Sequence, residues 1–204
     1  MDWSIFHALN GPLRGHDGAQ DAAEIYNAWA IFVLVAIAGG IWFVARPGGS
    51  SRSKLAAVSA ALAACVGLVA NFVLAKIWYH DRPFVGHPHA TVLLVHHAPD
   101  NSFPSDHATV AFAVAFAVLA FHRKLGLLLV VAAAAIAIDR ILVGVHYPVD
   151  VAASLLIGLG SALLVTTLGR GVVAWIVEWL SKLSDPVVGA ARGVARQGGE
   201  TPRA

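Results

Sequence analysis

The feature that most constrains this chain is a series of long, nearly uncharged apolar runs. Five of them, at residues 28–45, 55–79, 105–121, 125–143 and 151–168, approach or exceed the roughly 20 residues an α-helix needs to cross a bilayer. A backbone inside hydrocarbon must satisfy its own hydrogen bonds, which leaves a polytopic, all-α transmembrane bundle as the expected fold. Only 13% of the 204 residues are charged and 58% are hydrophobic, against about 25% charge in an ordinary soluble domain.

A sixth stretch, residues 172–183, is short for a span. Trp175, Trp179, Glu178 and Lys182 suit a helix lying along the membrane surface; a sixth crossing is the alternative. Residues 1–184 read as a single membrane domain, and residues 185–204, rich in Gly, Arg and Ala, as a flexible cytoplasmic tail. The opening residues lack the basic start and apolar core of a signal peptide. Trp3, Ile5, Phe6 and Leu9 suit a short helix in the membrane interface.

Composition excludes other classes. The net charge of +2 is small and the basic residues are scattered, so nucleic acid is not an expected partner. Cys65 stands alone, which rules out an intrachain disulfide.

Lys and Arg near helix ends mark the cytoplasmic side. Arg46, Arg52 and Lys54, then Arg123 and Lys124, then Arg170, Lys182, Arg192, Arg196 and Arg203 all fall on one side of a five-span chain. The other side, holding the acidic N-terminus, the 80–104 loop and the 144–150 turn, is then extracytoplasmic.

Three polar groups converge on that outer side: Lys76 with His80, Asp81, Arg82 and Pro83; Pro104, Ser105, Asp106 and His107; and Asp139, Arg140, His146 and Asp150. Ionisable side chains at membrane depth are costly and mark function or a compensating partner. Lys76, Arg82 and Arg140 offer positive charge for an anion, with bidentate geometry from the arginines. Ser105 and the free N–H groups of the helix start that follows Pro104 add donors for phosphate. His146 lies four residues before Asp150, a spacing that lets the carboxylate orient the ring and free one nitrogen for attack on phosphorus. His107, from another helix, suits a general acid.

These residues resemble the type-2 phosphatidic acid phosphatase superfamily of membrane lipid phosphatases. Its pattern is Lys, six residues, Arg-Pro; then Pro-Ser-Gly-His; then Ser-Arg, five residues, His, three residues, Asp. The resemblance covers runs two to five. It implies that His146 forms a phosphoenzyme, Asp150 orients it, His107 is the acid, and Lys76, Arg82, Ser105 and Arg140 bind phosphate, without metal or cofactor. Three positions depart from the pattern. Five residues, not six, separate Lys76 from Arg82; Asp106 replaces glycine; Asp139 replaces serine, where a salt bridge to Arg140 is the expected role.

Phe103 to Ala108, Gly144 to Asp150 and the early Phe6 to Gly11 resemble the bacterial undecaprenyl-diphosphatase branch linked to bacitracin resistance. That branch implies a multi-pass protein of the bacterial inner membrane, with a polyprenyl or phospholipid phosphate as substrate and membrane lipid as partner. Hydrolysis of phosphatidylglycerol phosphate or phosphatidate, and lipid binding or transport without hydrolysis, are the rival readings.

His87, His89, His96 and His97 raise the possibility of zinc, but they lack a carboxylate or cysteine at ligand spacing. Solvated or headgroup-contacting histidines are the expectation. Phe84 and residues 92–95 suggest a loop that rests on the bilayer. Small residues in the spans, among them Gly158 and Gly160, suggest close helix packing.

Overall fold

The computed structural model describes residues 2–44 and 52–197. Its helices run α1 (Asp2–Asn10), α2 (Asp17–Val44), α3 (Arg52–Ile77), α4 (Pro83–Gly86), α5 (Asp106–Phe121), α6 (Arg123–Leu142), α7 (Pro148–Thr167) and α8 (Arg170–Gln197), with a 3-10 turn at Gly11–Leu13. Helices α2, α3, α6 and α7 are long and apolar enough to cross a membrane, and α5 is a shorter apolar helix. The protein is an all-helical, multi-pass membrane protein.

Helix α5 is the hub, packed against α3, α6 and α7. Its alanines at 108, 111, 113, 115 and 117 are fully buried, which lets neighbouring backbones approach closely where water supplies no driving force. Gly158 on α7 belongs to the same seam, since a Cβ there would lie 2.7 Å from Phe112 Cβ and 2.8 Å from the Ala113 nitrogen. Gly160 faces open space, so close packing accounts for only one of the two glycines.

Helices α3 and α5 are antiparallel. At one end Ser53 Oγ meets His122 Nε2 at 3.3 Å. Towards the other, Asn71 Nδ2 donates to Asp106 Oδ1 at 2.7 Å and Thr109 Oγ1 donates to Asn71 Oδ1 at 3.1 Å. The head of α5 is therefore level with Asn71, six residues before α3 ends at Ile77, which recesses it by roughly 9 Å at the helical rise.

The N-terminal segment is helical, as expected, and Phe6 of its apolar face packs on protein. Phe6 is fully buried and its ring lies 5.5 Å from that of Tyr147. Asn10, also fully buried, donates to the Val92 and Leu142 carbonyls at 2.8 Å each and accepts the Val92 N–H at 2.8 Å. Ile5 and Leu9 stay exposed.

The 80–104 loop likewise turns much of its apolar content inward. Phe84, Leu94 and Val95 pack with Ala23, Val143 and Val145 in a second small core, and Leu93 remains exposed.

Helix α8 is not among the helices apolar enough to cross. Val173 and Val177 are buried, whereas Trp175, Trp179 and Leu183 are exposed. The helix continues past residue 184, where a flexible tail was expected to begin, to Gln197. Lys54 on α3 pairs with Asp185 at 2.5 Å and donates to Ser181 at 2.9 Å. Residues 198–204, with Arg46 and Arg203 of the charge pattern, lie outside the described residues.

Candidate active site

Two sharp turns build the site. Between α6 and α7, Gly144 adopts φ +87°, and a Cβ there would also lie 2.4 Å from the Val92 carbonyl oxygen, so glycine is required twice over. Helix α7 then starts with Pro148 in its first turn. Tyr147 is the N-cap, and its N–H donates to Asp150 Oδ2 at 2.8 Å. This local bond turns the Asp150 carboxylate back toward the 143–147 segment.

Asn101 fastens the second turn to α3. Its Nδ2 donates to the Ala75 and Trp78 carbonyls at 3.1 and 2.8 Å. Its Oδ1 accepts the N–H groups of His80 at 2.9 Å and Phe103 at 3.1 Å. The Ser102 N–H donates to the His80 carbonyl at 2.8 Å. Ser102 is thereby pressed against His146 and Asp150.

His146 is buried, 3% exposed. Its Nδ1 donates to the Ser102 carbonyl at 2.9 Å and stands 3.7 Å from Asp150 Oδ2. With Nδ1 carrying the proton, Nε2 keeps its lone pair; it lies 3.4 Å from Arg82 Nη1. Burial pushes the His146 pKa down to about 4, Arg140 and Arg82 push the same way, and Asp150 opposes them. The ring is neutral at pH 7.

Asp150 is fully buried. Besides the Tyr147 N–H it accepts Ser102 Oγ–H at 2.5 Å and His80 Nδ1–H at 2.9 Å. The ring closest to its carboxylate is therefore that of His80, and its link to His146 passes largely through Ser102.

The arginines are held by acceptors around them. Arg82 donates from Nε to Asp100 Oδ1 at 2.8 Å, from Nη1 to the Val145 carbonyl at 2.9 Å and from Nη2 to the Asn101 carbonyl at 3.2 Å. Burial alone would raise the Asp100 pKa, but the Arg82 hydrogen bond and charge outweigh it and the net shift is downward. Arg140 donates from Nη1 to Asn27 Oδ1 of α2, and its buried Nε has no hydrogen-bond partner among the described residues. No ion pair joins Asp139 to Arg140 among the described residues, contrary to the salt bridge expected from sequence. Adjacent residues on a helix point in different directions, and Arg140 turns to α2 instead.

A cavity of about 520 Å³ in the recess above α5 is lined by Arg82, His107, Arg140 and His146, together with His97 from the histidine-rich loop. Four of the seven residues singled out from sequence thus share one cavity. Its far wall is Leu68, Asn71 and Phe72 of α3. Asp150 stands behind His146, outside the lining. Ser105 caps α5; its N–H donates to Ser154 Oγ at 2.9 Å, and its buried hydroxyl has no partner among the described residues. Lys76 is exposed, its ammonium 5.2 Å from the ring of Phe72 in that wall.

The other histidines of the 80–104 loop divide. His97 faces the cavity, and burial lowers its pKa. His87 stacks on Trp3 with centroids 3.7 Å apart. Ser102, Asn101, Asp100 and Asn27 were not singled out from sequence, and His80 was noted without a role. Small polar residues in a loop carry no periodic signal, although an asparagine beside the apolar run at 28–45 is a cue that Asn27 is spent on a partner.

A model of the PAP2 superfamily matches residues 55–173, which include every one of these site residues except Asn27. The chain belongs to the PAP2 superfamily. Two named relatives show the similarity. Undecaprenyl-diphosphatase BcrC of Bacillus subtilis (strain 168) is 36% identical over 160 residues, covering 78% of this chain and 79% of the relative. The bacitracin transport permease protein BcrC of Bacillus licheniformis is 39% identical over 116 residues, 57% of each chain. Among solved structures, Aquifex aeolicus LpxE superposes with a TM-score of 0.64 at 23% identity, covering 80% of this chain and 93% of that one. At that identity the likeness bears on the fold alone, and it supports the helical bundle described above.

Proposed function

We propose that this protein is an integral membrane lipid phosphatase that hydrolyses undecaprenyl diphosphate to undecaprenyl phosphate and inorganic phosphate. The observation that carries the reading is the state of His146. Its Nδ1 is committed to a backbone carbonyl, and the ring borders a cavity it shares with Arg82, Arg140 and His107. A site that only bound an anion would need the arginines but not a neutral, tautomer-fixed imidazole among them.

In the first step Nε2 of His146 attacks the terminal phosphorus. The bond from that phosphorus to the bridging oxygen breaks, and His107 delivers a proton to the departing lipid phosphate. Arg82 and Arg140 bind the phosphoryl oxygens and stabilise their charge through the transition state. In the second step water attacks the phosphohistidine, His107 takes the proton from that water, and inorganic phosphate leaves with Nε2 restored. Asp150 holds the His146 assembly in register, Ser105 lends its hydroxyl at the head of α5, and Lys76 meets the substrate beside Phe72.

The choice of lipid is supported by the name of the Bacillus subtilis relative, similar over most of both chains. Recycling of a carrier lipid for cell-wall synthesis follows from that choice. The distribution of Lys and Arg supports a bacterial inner-membrane protein whose site faces the extracytoplasmic side. The permease name of the second relative makes transport the rival to test.

The deciding experiment is phosphate release by detergent-purified protein, with chelator present, from undecaprenyl diphosphate and from phosphatidylglycerol phosphate, alongside His146→Ala. Release that survives chelator, prefers undecaprenyl diphosphate and disappears in His146→Ala is the expected result. Preference for the other lipid would reassign the substrate. No release from either lipid by folded protein would favour transport.

A further inference from the structure

Asp150 accepts three hydrogen bonds, from Tyr147, Ser102 and His80, none of which lines the cavity. His80 lies within the shortened spacer between Lys76 and Arg82, is absent from the cavity lining, and gives its Nδ1–H to Asp150 Oδ1 at 2.9 Å. Its side chain is only 31% exposed. The ring is fixed from behind: it lies 4.8 Å from that of Tyr147, tilted by 30°. Tyr147 is backed in turn by Phe6 of α1, and Asp2 of the same helix accepts the Val149 N–H at 3.1 Å.

From this arrangement we infer that His80 is a positioning residue for the hydrolytic reaction, holding Oδ1 of Asp150 so that Oδ2 stays on Ser102 and, through Ser102, on His146. The inference rests on the assignment of His146 as nucleophile. Without His80 the carboxylate would be held at Oδ2 alone, by the Ser102 hydroxyl and the Tyr147 N–H, and Oδ1 would be left without a donor to fix the carboxylate plane. The His80 bond occupies the second oxygen and fixes that plane. The N-terminal helix enters the same assembly as the support of the Tyr147 ring.

Two substitutions separate the hydrogen bond from the packing. His80→Asn places an amide N–H near the position of Nδ1 but discards the ring, whereas His80→Phe keeps a ring against Tyr147 and discards the donor. With undecaprenyl diphosphate in detergent, His80→Phe is expected to lower kcat about tenfold while KM moves less than about twofold, the scale of losing one hydrogen bond to a charged group. His80→Asn is expected to hold kcat within about threefold of the parent. His80→Phe at parental kcat, or His80→Asn falling as far as His80→Phe, would overturn the inference. Should His80→Phe fail to fold, His80→Asn decides alone, and its loss of turnover counts against the role.

His146→Ala is run in the same series. If it is inactive while His80→Phe is unaffected, only the role of His80 falls. If it retains turnover, the nucleophile assignment fails and the positioning role with it.

Discussion

His146 is held by the Ser102 carbonyl at 2.9 Å rather than by Asp150 at 3.7 Å. The carboxylate acts one residue removed, by gripping the Ser102 hydroxyl at 2.5 Å. Ser102→Ala leaves the carbonyl in place but leaves Asp150 Oδ2 with the Tyr147 N–H as its one remaining donor. Turnover of undecaprenyl diphosphate is expected to fall about tenfold with little change in KM, since a bond to a charged group is lost without removing a phosphate ligand. Parental kcat in Ser102→Ala would show that Asp150 orients the ring without this hydroxyl.

The pH behaviour of His146 follows from its burial. Its pKa in the fold is about 4 against an ordinary 6.5. Between those values the unfolded chain binds a proton that the folded chain refuses, so this residue costs the fold stability as pH falls from 6.5 toward 4. In ¹⁵N-histidine spectra, with His146→Asn to assign the signal, the neutral Nδ1–H tautomer is expected to persist down to about pH 5. A midpoint near 6.5 would contradict the burial.

Arg140 and Lys76 are both basic, yet only Arg140 lines the cavity. Arg140→Lys forfeits the planar fork and is expected to lower kcat/KM by about two orders of magnitude. Lys76→Ala is expected to cost less than about tenfold, mostly in KM, because an exposed cation contributes little. Equal losses from the two would place the ammonium on the phosphate during turnover.

Gly158 tests the central seam. Gly158→Ala brings a methyl against Phe112 and Ala113 and is expected to destabilise the protein by about 1–3 kcal/mol. Gly160→Ala, facing open space, should stay within about 0.5 kcal/mol. Thermal unfolding of both in detergent checks the pair, and equal melting temperatures would refute the packing.

The spans were legible because membrane-length apolar runs are long signals, and the convergence of Arg82, His107, Arg140 and His146 followed from counting crossings between motifs. What escaped the sequence depended on helix phase and loop path. Asp139 sits beside Arg140 in sequence but on another face of α6. Ser102 and Asn101 are ordinary loop residues until Asn101 ties the loop to the end of α3. Phe6 reads as interfacial, and Asn10 carries no structural signal, because nothing local shows that α1 folds back over the 142–149 segment. The reach of α8 to Gln197 was missed because its glycines and arginines resemble linker composition more than a helix.

The early start of α3's neighbour α5, roughly 9 Å below the end of α3, leaves a side door as well as a well. Leu68 and Phe72 wall the cavity and keep apolar surface exposed, 40% and 66%. A molecule tethered in the bilayer keeps its tail among oily neighbours while its head turns sideways into the recess. A water-borne phosphate ester brings a head alone and gains nothing from that wall. On the proposed lipid-phosphatase function, missing helix length would act as a sieve for anchorage, favouring molecules that carry a tail.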